Sequence, residues 1–140
     1  MTKVLFLDID GVCNSEQTHT KDPSAYFPID KYLAFLIGKI QLDTDCEVVL
    51  SSSWRHHKPS IEEIEKRIVK ISDITTKEHK EIRGYEIETW LEDHPEVTKY
   101  AILDDDDDML EKQKPNFFKT SWKIGITKEI ADSIITHLKS

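Results

Sequence analysis

Two cysteines in 140 residues, Cys13 and Cys46, show neither a Cys-x-x-Cys spacing nor any paired register. That scarcity excludes a disulfide framework and a thiolate zinc site, and leaves both as free thiols. Four glycines and five prolines are too few for a collagen-like or low-complexity chain. Long apolar runs are missing as well. Runs such as Val4 to Leu7, Leu33 to Ile37 and Val48 to Leu50 are far below the ~18 residues a membrane-spanning helix requires. Asp8 interrupts the first of these before it reaches the length of a signal-peptide core, so a cytoplasmic location and no membrane contact are expected. Positive charge is in deficit: 19 Lys and Arg face 27 Asp and Glu, a net of −8, which argues against a strong nonspecific grip on nucleic acid.

What is present suits an ordered globular chain: 38% apolar residues with three Trp, four Tyr and five Phe. The length fits one domain spanning residues 1–140, large enough to bury a core. Charge is unevenly placed, with one base and eleven acids in residues 84–111 and six bases and two acids in 112–140. The basic excess of the last segment, and of residues 54–83, would face an anionic ligand or simply solvate helix faces.

Apolar patterning predicts strands at Lys3 to Ile9, Glu47 to Leu50, Lys99 to Leu103 and Phe117 to Thr120. Between them, Asp30 caps a predicted helix reaching about Leu42, with Leu33, Leu36, Ile37 and Ile40 on one strip. Ser60 and Glu63 form a capping-box pattern before a second helix to about Val69. A third helix after Gly84 carries Ile87, Trp90 and Leu91, and Thr127 caps a fourth with Ile130, Ile134, Ile135 and Leu138 inward. Trp90, Leu91 and Phe35 are expected in the core. Strands alternating with helices are the pattern of an α/β protein whose parallel sheet is covered on both faces.

Ligands in such sheets bind beyond the carboxyl ends of the strands. Three predicted strand ends carry unusual polar groups: Asp8 and Asp10, then Ser51 and Ser52, then the acid run beginning Asp104-Asp105. Carboxylates are hard oxygen ligands, so Asp8 and Asp10 joined by Asp104 or Asp105 would favour Mg²⁺, which keeps waters and takes a substrate phosphate. Asp8 is the candidate carboxylate nucleophile, and Asp10 the group that protonates the leaving oxygen and later activates water. Ser51, the amide of Ser52 and Arg83 would hold the phosphoryl oxygens. Each feature also has an ordinary structural explanation: Asp-Gly is a turn signal, Ser triplets are usually loops, and acid runs are often solvated. Recurrence at three strand exits favours the site. Trp54, His56 and His57 are further candidates for contact with a base or phosphate, and Cys13 is read as an inert thiol.

These strings resemble the haloacid dehalogenase (HAD) superfamily of phosphotransferases. Its first motif is matched by Leu5-Phe6-Leu7-Asp8-Ile9-Asp10-Gly11, its second by Val48-Val49-Leu50-Ser51 and its fourth by Ala101-Ile102-Leu103-Asp104-Asp105. The third motif, a basic residue, falls on Arg83 in preference to Lys77 or Lys80. Val-Leu-Ser-Ser-Ser-Trp-Arg, Arg-Gly-Tyr-Glu-Ile-Glu-Thr-Trp-Leu and Ile-Leu-Asp-Asp-Asp-Asp-Asp more specifically resemble the HAD domain of Swiss Army Knife RNA repair proteins. The resemblance implies a three-layer α/β/α Rossmann-like fold without a large cap domain. It implies a Mg²⁺-dependent phosphatase that forms an aspartyl phosphate on Asp8, with Asp8, Asp10, Asp105 and Asp104 around the metal. Metal register within Asp104 to Asp108 stays open by a residue, with Asp108 a candidate to act through water. Expected substrates are phosphomonoesters, either polynucleotide ends or nucleotides, with a repair enzyme as partner. The competing readings are an inactive metal- or phosphate-binding module and a phospho-accepting regulatory domain.

Overall fold

The computed structural model describes residues 2–76 and 82–140. Five strands, β1 (Thr2–Leu7), β2 (Glu47–Leu50), β3 (Asp73–Ile74), β4 (Val97–Asp104) and β5 (Phe117–Lys119), form one sheet in the order β3-β2-β1-β4-β5. Every pairing is parallel. The helices are α1 (Glu16–Lys21), α2 (Lys31–Thr44), α3 (Lys58–Arg67), α4 (Arg83–Glu92) and α5 (Lys128–Lys139). This is a Rossmann-like α/β fold, as the resemblance implied. Among the described residues no helix is long and apolar enough to cross a membrane.

Side chains alternate across the buried central strand, and that alternation builds two cores. Leu5 and Leu7 of β1 pack with Leu36, Ile37 and Ile40 of α2, Ile64 of α3, and Ile134 and Leu138 of α5. Val4 and Phe6 face the opposite way, onto Ile87 and Trp90 of α4. The division follows from the path of the chain. From β1 it moves outward through α2 and α3 to β3, then reverses past β1 to β4, and right-handed crossovers put helices of opposite travel on opposite faces. α4 is therefore the helix of the second face, and the order reverses at β1.

The α2 cap is as expected: the Asp30 carboxylate accepts from the amides of Tyr32 and Leu33 at 2.9 and 3.1 Å. Several other boundaries differ. β1 stops at Leu7, two residues early, because the Val12 and Cys13 amides turn back to the Ile9 carbonyl at 3.1 and 2.8 Å. α3 begins at Lys58 with Pro59 in its first turn, so Ser60 lies inside the helix rather than at its cap, bonded to His57 Nδ1 at 2.8 Å. Phe35 is 62% exposed on the outer side of α2 instead of in the core, whereas Trp90 is buried. α1 and the two-residue β3 lack any hydrophobic period long enough to read. The 8–30 segment, where the superfamily often inserts a cap, carries only the six-residue α1 as a regular element.

Candidate active site

The backbone ladder continues one residue beyond the central strands. Asp8 N donates to Leu103 O (3.1 Å), Ser51 N to Leu7 O (2.9 Å) and Thr75 N to Leu50 O (3.0 Å). Asp104 ends β4 in the same row. Leu7, Leu50 and Leu103 belong to the first core, with Ile74 packed against it, so by alternation the next residue on each strand projects toward the α4 side. Asp8, Ser51, Thr75 and Asp104 thus form one buried polar row at the carboxyl edge of the sheet.

Three carboxylates meet there: ligand oxygens of Asp8, Asp104 and Asp105 all lie within 4.8 Å of one another. Arg83, the first residue of α4, places Nη1 3.8 Å from Asp8 Oδ1 and 3.7 Å from Asp104 Oδ2. Its Nε lies 3.4 Å from Glu86, which is buried and forms a 3.0 Å ion pair with buried Arg55. Arg55 Nη1 in turn donates to Ser52 O at 2.9 Å. A chain of alternating charge therefore runs from the end of β2 through α4 to the acidic cluster. Lys77 and Lys80, the other two candidate cations, lie outside the described residues.

Asp10 stands apart from that cluster. Since the strand ends at Leu7, Asp10 enters a turn, and its carboxylate is not among the three that cluster, though the sequence reading put it with Asp8 around a metal. One oxygen accepts from Trp54 Nε1 at 3.1 Å and the other from Asn14 Nδ2 at 3.0 Å. Asn14 also accepts from Gly11 N at 2.9 Å and donates to Pro28 O at 2.8 Å, tying the turn to the loop before α2. Gly11 has φ +80°, and a Cβ there would collide with the Asp105 carboxylate. Only glycine lets the turn pass so close to the third acid.

Ser51 Oγ is buried and has no hydrogen-bond partner among the described residues. Ser52 instead uses its side chain to accept from Trp54 N at 3.2 Å, capping the 3-10 turn Ser53–His56. The acid run divides its tasks. The Asp106 amide donates to Asp104 Oδ1 (3.0 Å), while Asp108 accepts from the Arg83 and Gly84 amides at 3.0 and 3.1 Å, opening α4. His57 stacks on Phe27, His56 is exposed, and Cys13 is fully buried, its thiol pushed up by burial.

Burial raises Asp104 to about 6, and burial together with the Asp104 charge raises Asp8 well above the usual carboxylate range. Arg83 offsets part of this at each. Among the described residues three converging acids face one cation at nearly 4 Å, which leaves negative charge uncompensated, and an all-oxygen donor set fits a hard divalent cation.

Sequence reading missed Arg55, Glu86 and Asn14 as site residues. Glu86 carried a clue, since it follows Arg83 by three positions on one helix face. Arg55 closes the string Val-Leu-Ser-Ser-Ser-Trp-Arg, but nothing local pointed to its partner, 31 residues away.

The fold and this constellation define an α/β domain built around a strand-end carboxylate cluster. The family model described as HAD domain in Swiss Army Knife RNA repair proteins matches residues 4–131, and the chain belongs to that family. No curated protein and no solved structure matches it.

Proposed function

We propose that the chain is a Mg²⁺-dependent phosphomonoester hydrolase acting through an aspartyl phosphate, as a single domain over residues 1–140. The observation that carries this reading is the buried row in which Asp8 lies between Ser51, whose hydroxyl has no partner among the described residues, and Asp104, with Arg83 above it. Asp8, Asp104 and Asp105 would hold the metal. Bound there, Mg²⁺ supplies positive charge that keeps the carboxylates ionised and draws electron density from the phosphoryl oxygens.

The remaining chemistry belongs to the side chains. An Asp8 oxygen attacks phosphorus as the bond to the ester oxygen breaks, and that oxygen takes a proton from the Asp10 carboxyl. Water then attacks the phosphorus of the aspartyl phosphate, Asp10 accepts its proton, and the bond to Asp8 breaks to release phosphate. Trp54 and Asn14 hold Asp10 at a fixed angle between these transfers. Ser51, the Ser52 amide and Arg83 donate to the phosphoryl oxygens, where charge spreads in the transition state.

The substrate class we infer is a phosphorylated polynucleotide end or nucleotide. The family description supports it, as does a run of aromatic side chains leading outward from Trp54, which is bonded to Asp10: Phe27 at 5.8 Å from its ring, then Tyr26, 79% exposed. Such rings stack on bases. A repair enzyme is the partner this reading implies. The test is turnover of an aryl phosphate with Mg²⁺, with EDTA and in Asp8→Asn, followed by a ranking of 3′- and 5′-phosphorylated oligonucleotides against sugar phosphates by kcat/KM. Loss of turnover in EDTA and in Asp8→Asn is expected. A wild type that binds phosphate but turns nothing over would make the chain a binding module, and faster hydrolysis of sugar phosphates would remove the nucleic-acid reading.

A further inference from the structure

Five buried polar atoms in this region have no hydrogen-bond partner among the described residues: Ser51 Oγ, Thr75 Oγ1, Arg55 Nε, Arg83 Nη1 and Asp108 Oδ1. A buried donor without a partner costs roughly 1–3 kcal/mol, so such groups are rare unless something absent from the chain satisfies them. Ser51 and Arg83 fall to the proposed phosphoryl pocket, Arg55 to the ion-pair chain, and Asp108 to the start of α4, which its other side-chain oxygen holds. Thr75 falls to none of these: it belongs to none of the HAD motifs, and its backbone alone accounts for nothing at its side chain.

Its placement is defined. Thr75 is 1% exposed and continues β3 one step, its amide bonded to Leu50 O. Asp73, two residues earlier on the same face, accepts from Trp90 Nε1 of α4 at 2.9 Å, and Ile74 packs against the opposite core. Thr75 therefore projects on the α4 side, beside Ser51 on the next strand. Neighbouring strands lie about 4.8 Å apart, and a phosphoryl group is wide enough to accept one bond from each of two hydroxyls so spaced. In row order, Thr75, Ser51 and Asp8 present two donors and then the carboxylate that attacks.

We infer that the Thr75 hydroxyl is a phosphoryl-binding donor, paired with Ser51 across the end of β2. This rests on the phosphatase site proposed above and adds a residue to it. The donor needs no ionisation, only an oxygen acceptor brought in by the substrate or by product phosphate.

The test compares wild type, Thr75→Val, Thr75→Ser and Ser51→Ala in the full chain, titrated with inorganic phosphate in the presence of Mg²⁺ by calorimetry. Melting temperatures are recorded without phosphate. A neutral hydrogen bond predicts about threefold to tenfold weaker phosphate binding in Thr75→Val, with affinity retained in Thr75→Ser. The phosphate-free melting temperature of Thr75→Val should equal or exceed that of wild type, because the valine removes an unpaired buried hydroxyl. A Thr75→Val protein that binds phosphate as tightly as wild type while Ser51→Ala is weakened overturns the role of Thr75 and leaves the site standing. Equal weakening in Thr75→Val and Thr75→Ser, or a lower melting temperature in Thr75→Val, overturns it in favour of packing. A wild type that takes no phosphate refutes both this role and the site itself.

Discussion

Asp104→Asn should make the metal-free protein more stable while weakening its hold on Mg²⁺. Asp104 is 3% exposed, and burial raises its carboxyl from 3.8 to about 6. A carboxylate whose folded-state pKa is raised stabilises the fold fully below its unfolded value, and that contribution is lost as pH climbs through the folded value. The window here is therefore about pH 4 to 6. At about 1.36 kcal/mol per pH unit, a rise from 3.8 to about 6 corresponds to roughly 3 kcal/mol of destabilisation above it. Asparagine keeps the oxygen that accepts from the Asp106 amide but carries no charge to desolvate. Urea unfolding in EDTA should show the two proteins alike near pH 4, with the variant ahead by up to roughly 3 kcal/mol at pH 7.5. Added Mg²⁺ should raise the wild-type midpoint by mass action and move the variant little. A variant no more stable than wild type at pH 7.5 in EDTA, or a gap that is the same at pH 4, would refute the reasoning.

Two further perturbations probe the shell around the acids. Trp54→Phe keeps an aromatic ring but removes the 3.1 Å indole bond to Asp10; a bond to a charged group is worth about 1.5–3 kcal/mol, so kcat should fall roughly tenfold to a hundredfold with KM little changed. Unchanged kcat would show that Asn14 alone positions Asp10. Glu86→Gln leaves Arg55 and Arg83 without their shared counter-charge, and loss of one member of a buried pair should cost about 3–5 kcal/mol in urea unfolding. A midpoint equal to that of wild type would mean that solvent already screens the pair.

How much of this was legible depended on whether the information was local. Leu33, Leu36, Ile37 and Ile40 repeat at helical spacing over three turns, so α2 and its buried face could be read directly. Phe35 shows the limit: an aromatic ring beside that strip points outward because its angular position, not its hydrophobicity, decides its face. Asp8, Ser51, Asp104 and Arg83 were legible because each stands at an element boundary marked by an apolar run or a glycine, and the structure brings them together. Asp10 lies apart from the clustered acids because the strand ends at Leu7 and the turn that follows carries it to Trp54 and Asn14. The tie between Asp10 and Trp54 spans 44 positions and leaves no local pattern.

The polar row also explains why the chemistry is confined to one side of the sheet. Alternation sends Leu7, Leu50 and Leu103 into the core shared with α2 and α5, so the next residue on each strand must face the other layer. That layer is supplied by α4, whose position follows from the reversal of the chain after β3. The start of α4 is thereby brought over the row: Asp108 fixes it by accepting two of its first amides, and Gly84 gives room for the backbone of Leu110 to lie 2.7 Å from where a Cβ would stand. Arg83 reaches Asp8 and Asp104 only from that starting point. The cation between the acids is thus a product of strand order, and a change that slides the first turn of α4, such as Gly84→Val, would separate Arg83 from the carboxylates without touching any of them.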